Sequence, residues 1–122
     1  MAQYTLIVFS NPTTPAQEDE YNEWYNNTHL DDMVSVPGFV TAQRFRLADS
    51  QVGEDNPCKY LALYELETDN LDAALADLKS RIGTVDMVMT DAFDIASFAG
   101  YVFAPITEKV HQAAILRPRR TA

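Results

Sequence analysis

The chain carries only two histidines, and one of them, His29, sits among tyrosines, a tryptophan and aspartates. The stretch from Glu18 to Leu47 reads EDEYNEWYNNTHLDDMVSVPGFVTAQRFRL. An imidazole titrates near neutrality, so it can take or return a proton where other side chains cannot. Tyr25 lies four residues before His29 and Asp32 three after, so all three can meet on one helical face. His29 is therefore the candidate general acid or base. Asp32 can hold its imidazole in one tautomer, and Tyr25 can donate a hydrogen bond to a substrate oxygen. The competing reading is a helix-end histidine that bonds the last carbonyls and complements the helix dipole.

Other side chains extend this candidate site. Tyr64 shares a strand face with Tyr60 and offers a second hydroxyl to polarise a carbonyl, or else serves as an interface tyrosine. Tyr21 and Trp24 are pocket wall or core packing. Arg44 and Arg46 share a strand face with Val40 and Ala42. A buried arginine requires an anionic partner, which is either a substrate carboxylate or phenolate or an acidic residue across an interface. Met87, Met89 and Phe93 are adaptable lining or plain core. Asp31 and Asp32 beside His29 match no metal-ligand spacing, so no metal is expected. The sequence has no phosphate-binding glycine loop, dinucleotide fingerprint or G-x-S-x-G elbow, which points to proton transfer without a cofactor.

The elements that must position these residues can be read from periodicity. Tyr4 to Ser10 is an apolar, β-branched run that predicts a strand buried on both faces. Thr14, Pro15 and Gln17 read as the capping box of a helix running to about Met33. Tyr21, Trp24, Tyr25, Thr28, His29 and Asp32 share one side of it, and Asn26 lies with the solvated residues. Val36-Pro37-Gly38 ends the element. Phe39 to Ala48 alternates, with Phe39, Thr41, Gln43 and Phe45 on one face and Arg44 on the other. Cys58 to Glu67 is a third strand. Leu71 to Ile82 is a second helix with Asn70 as N-cap and Gly83 at its end. Val85 to Phe93 fits a short helix or a loop, and Ile95 to Ala104 is the last strand.

Strand, helix, strand, strand, helix, strand is the split βαβ pattern of a ferredoxin-like α+β fold with a four-stranded antiparallel sheet. Two helices can cover only one face of such a sheet. The strands are apolar on both faces, so the other face calls for a second copy of the chain. The 122 residues read as one domain over 1–105, followed by a C-terminal tail over 106–122.

Nine basic and eighteen acidic residues give a net charge of −9, which argues against nucleic acid and anionic membranes as partners. Arg117, Arg119 and Arg120 cluster near the end and read as a solvated tail. The single cysteine, Cys58, reads as a half-buried thiol. The chain opens directly on an apolar strand with no basic leader, which predicts a cytoplasmic protein.

With that order in hand, the chain resembles the EthD-like branch of the dimeric α/β-barrel superfamily. The resemblance is carried by Trp24-Tyr25 followed by His29, by Pro37-Gly38-Phe39, by Arg44-Phe45-Arg46 and by Tyr60-Leu61-Ala62-Leu63-Tyr64. It implies a homodimer whose sheets face each other, with a pocket between each sheet and its own helices. Substrates in that superfamily are typically phenolic, polyketide or ring-cleavage molecules. The implied chemistry here is a cofactor-free lyase or isomerase acting on an aromatic or polyketide-like molecule. A cofactor-independent monooxygenase or a noncatalytic binding dimer are the alternatives, because one fold hosts several functions.

Overall fold

The computed structural model describes residues 1–54 and 56–112. The arginines at 117, 119 and 120 and most of the expected tail lie outside the described residues. Four strands, β1 (Ala2–Ser10), β2 (Phe39–Arg46), β3 (Tyr60–Thr68) and β4 (Ala99–Phe103), form one sheet in the order β2-β3-β1-β4. Every neighbouring pair is antiparallel. Helix α1 occupies 18–34 and helix α2 is Leu71–Arg81. This is the ferredoxin-like arrangement that the order of elements predicts. Among the described residues no helix is long and apolar enough to cross a membrane.

The strand register sorts side chains into rows that cross the sheet. Ala42, Tyr64, Leu6 and Val102 are paired in one row; Arg44, Ala62, Val8 and Gly100 form the next. These rows face the helices, and Leu6, Ala62 and Tyr64 in them are buried. On the opposite face Phe45, Leu61 and Phe9 align, as do Leu63, Ile7 and Tyr101. There Ile7 and Phe9 are only half-buried, so β1 is not enclosed on both sides within one chain.

Several local expectations are corrected. Phe39 lies on the helix side with Ala42 and Arg44, because an extra residue at Val40 forms a bulge between Phe39 and Thr41 and reverses the alternation. Thr14 does not cap a backbone N–H. Its hydroxyl bonds the Gln17 side chain instead, and the first turn, Pro15–Gln17, is a 3-10 turn. The last strand starts four residues late, since the Asp94 carboxylate accepts from the Ala96 N–H and the Ser97 hydroxyl and folds that segment into a turn.

The 85–93 segment is irregular, where either a helix or a loop had been open. The Thr84 and Thr90 hydroxyls accept from the N–H groups of Asp86 and Ala92, which favours turns over helix. Asn70 caps α2 through Ala73 N–H at 3.0 Å. Gly38, at φ +96°, makes the sharp return from α1 into β2 that an L side chain resists.

Candidate active site

Helix α1 is three pieces in one continuous run: an α segment Glu18–Trp24, a wide π turn Tyr25–His29, and a second α segment Leu30–Val34. An α-helix turns through more than a full circle in four residues, so residues spaced by four drift round its axis. The wide turn absorbs the drift. Tyr21, Tyr25, His29 and Met33, each four residues from the next, are consequently all buried against the sheet. Trp24, Thr28 and Asp32 fall on one flank and stay half-buried.

Between α1, α2 and the helix side of the sheet lies a cavity of about 360 Å³. Helix α1 contributes Tyr25, His29 and Met33; the sheet contributes Leu6, Val8, Tyr64, Gly100 and Val102. Helix α2 adds Leu75, Leu78, Lys79 and Ile82, and the irregular segment adds Met89, Phe93, Ile95 and Phe98. The volume suits a small organic ligand, and the lining is apolar with a few convergent polar groups.

His29 packs against two aromatic rings that also touch each other. Trp24 stacks on it with centroids 4.5 Å apart, and Tyr25 meets it edge-on at 5.1 Å. Its Nδ1 is buried with no hydrogen-bond partner. Burial first, and then the nearby Arg44 guanidinium, hold its pKa down to about 4, so the imidazole is neutral at pH 7. The Tyr64 hydroxyl is also buried without a partner. Burial and the adjacent Tyr25 phenol hold Tyr64 far above the ordinary tyrosine range, and burial pushes Tyr25 up to about 12. Both phenols therefore stay protonated and can act as donors.

Asp32 is not brought to His29. The unpartnered Nδ1 excludes a hydrogen bond from that nitrogen to the carboxylate, and the charges acting on Asp32 are those of Asp31 and Asp86. The reason is the same wide turn, which centres Met33 rather than Asp32 on the buried side.

Arg44 points to neither of the places left open for it. Its guanidinium lies over Tyr25 at 4.3 Å, Tyr60 at 5.0 Å and Tyr21 at 5.1 Å, behind the cavity wall. It donates to Asn26 Oδ1 at 2.7 Å, so Asn26 is a structural partner and not only a solvated residue. Its Nε and Nη2 are buried and unpaired. Three aromatic faces stand where an anion was expected.

The other candidates divide. Phe93 lines the cavity, whereas Met87 is fully buried in the core beside it and Met89 takes the lining position. Tyr21 is core, its hydroxyl 2.5 Å from Ser10 Oγ. Trp24 backs His29 and is anchored by its Nε1 donating to the Val88 carbonyl at 3.0 Å. Leu75, Ile82, Lys79 and the inner residues of β1 and β4 were not singled out. Their signal was present as the apolar stripe of α2 and the strand alternation, but such patterns read as core. Among the described residues no group of three or more His, Cys, Asp and Glu gathers as a metal site.

No family model matches the chain, and no curated protein matches it. The chain is similar to a solved dimeric ferredoxin-like protein from an uncultured marine organism, at 13% identity over 89% of this chain and 100% of that one, TM-score 0.60. The fold is ferredoxin-like. A protein from Shewanella loihica PV-4, provisionally described as a monooxygenase, matches at 17% identity over 88% and 97% of the two chains, TM-score 0.55. An EthD family protein from Bacillus halodurans C-125 is also a structural neighbour, at 16% identity over 87% and 100%, TM-score 0.49. At these identities the likeness is one of fold.

Proposed function

We propose that the chain is a homodimeric, cofactor-free enzyme that moves a proton on a small aromatic, phenolic or polyketide-like molecule, as a lyase or isomerase. The observation that carries this reading is the convergence of His29, Tyr25 and Tyr64 on one apolar cavity, with the His29 Nδ1 and the Tyr64 hydroxyl buried and unpaired. Unpaired buried polar groups are costly and call for a partner that the described residues do not supply.

In this reading the neutral imidazole takes a proton from a carbon or hydroxyl next to a substrate carbonyl. The Tyr64 and Tyr25 phenols donate to the oxygen on which negative charge develops. His29 then returns the proton at another carbon, or to a departing group. An imidazole with a pKa near 4 is by itself a weak base. An anion forming beside it offsets the Arg44 charge and raises its basicity when the proton must move.

The homodimer is supported by the face of the sheet that the helices leave uncovered. Phe45, Tyr101 and Phe103 are exposed there beside half-buried Ile7, Phe9, Leu61 and Leu63. A fold neighbour is itself described as dimeric.

The test is turnover by His29→Gln on phenolic or polyketide-like candidates that the wild-type protein transforms. Loss of at least about a hundredfold is expected for a general base. Retained turnover would remove His29 from the mechanism. The fold shared with a provisionally described monooxygenase favours a second reading, in which the deprotonated substrate reacts with oxygen. Oxygen consumption that matches product formation separates it from the first.

A further inference from the structure

The cavity has two chemically different ends. Tyr25, His29 and Tyr64 lie at the buried one, with exposures of 1%, 7% and 0%. Ile82, Ile95 and Phe98 form the rim, where Ile95 is 66% exposed. Among the described residues one charged side chain lines the cavity: Lys79, exposed in the last turn of α2.

What sets Lys79 apart is its place on the cavity wall. Four residues before it is Leu75 and three after it is Ile82, both part of the cavity wall. Asp77, two residues away, is engaged by Arg81 at 2.8 Å. Lys79 thus has no ion-pair partner among the described residues, in a protein with eighteen acidic and nine basic side chains. A cation on the wall of an apolar pocket, with no carboxylate of the described residues at ion-pair distance, attracts an anionic group carried by the ligand.

We infer that Lys79 binds a substrate carboxylate at the cavity mouth. The ligand is then an amphiphilic aromatic acid, its reacting oxygen at the His29 end and its carboxylate at the rim. This rests on the reading of the cavity as a substrate site. The plain alternative is a lysine that only complements the C-terminal end of its helix.

The test is calorimetric titration of the full chain with 6-hydroxy-2-naphthoate and with 2-naphthol, which differ by the carboxylate alone. The acid should bind about fivefold more tightly, with an advantage that shrinks as salt is added. Lys79→Gln should erase the advantage, and Lys79→Arg should keep it. Equal binding of the two probes by the wild-type chain, or an undiminished preference in Lys79→Gln, would overturn the inference and leave the cavity reading standing. Failure of both probes to bind would overturn the cavity reading for aromatic ligands, and the inference with it.

Discussion

Trp24 lies flat against His29, ring centroids 4.5 Å apart and planes inclined by 22°. It is the only tryptophan of the chain, so its emission reports on the surroundings of that imidazole. An imidazolium quenches a stacked indole. Emission should stay level as the pH falls through the ordinary histidine range and drop near pH 4, where His29 gains its proton. A drop centred near pH 6.5 would show an imidazole in contact with water. Because Arg44 disfavours the imidazolium, Arg44→Met should move the midpoint upward.

The same titration is linked to stability. His29 has a folded pKa of about 4 against an ordinary 6.5, so below pH 6.5 the unfolded chain binds a proton that the folded chain refuses. Its contribution is intact above pH 6.5 and is lost progressively as the pH falls toward 4. At pH 5 the loss is about 2 kcal/mol. Denaturant unfolding at pH 7.5 and pH 5 should show His29→Gln losing about that much less than the wild type. Equal losses would mean that His29 is not held neutral by the fold.

Tyr64 carries a hydroxyl that is buried next to the Tyr25 phenol and has no well-aligned hydrogen-bond partner. Removing it without changing the ring relieves a desolvation cost, so Tyr64→Phe should be more stable by about 1 kcal/mol. Turnover should fall in the same variant, because the donor to the substrate oxygen is gone. A variant that is less stable would show that the hydroxyl is already satisfied in the folded protein.

The uncovered sheet face bears on assembly. Tyr101 stands on the edge strand β4, paired with Ile7 of β1, and is 55% exposed. Tyr101→Glu sets a charge on this apolar surface, beside Ile7, and should shift sedimentation from dimer toward monomer. A wild-type chain that sediments as a monomer would remove this face as an interface between copies.

The order of elements was legible because each has its own period. The β-branched run at Thr5 to Phe9, the helical spacing of Leu71, Ala74, Leu75 and Leu78, and the Pro37-Gly38 break point to one arrangement. The aromatic side of α1 was legible for the same reason. What could not be read were departures from regular geometry. The bulge at Val40 and the wide turn at Tyr25–His29 each add a residue that no spacing rule marks, and each changes which side chain faces the sheet. Asp32 was assigned to the imidazole and Phe39 to the wrong face on that account. Arg44 was paired with an unknown anion because a sequence does not show that three tyrosine rings converge on one strand position.

The wide turn also has a meaning for chain length. With one residue fewer between Tyr25 and His29, the buried set would follow the spacing i, i+4, i+7, i+11, which an ordinary α-helix presents on one side. Helix α1 thus has the geometry of a regular helix with one extra residue, both halves still aimed at the sheet. A chain with one residue fewer here would carry its histidine one position earlier and still present it to the same cavity. An alignment that forbids gaps inside helices will then set that histidine against Thr28, and will report as lost a residue that has only changed its number.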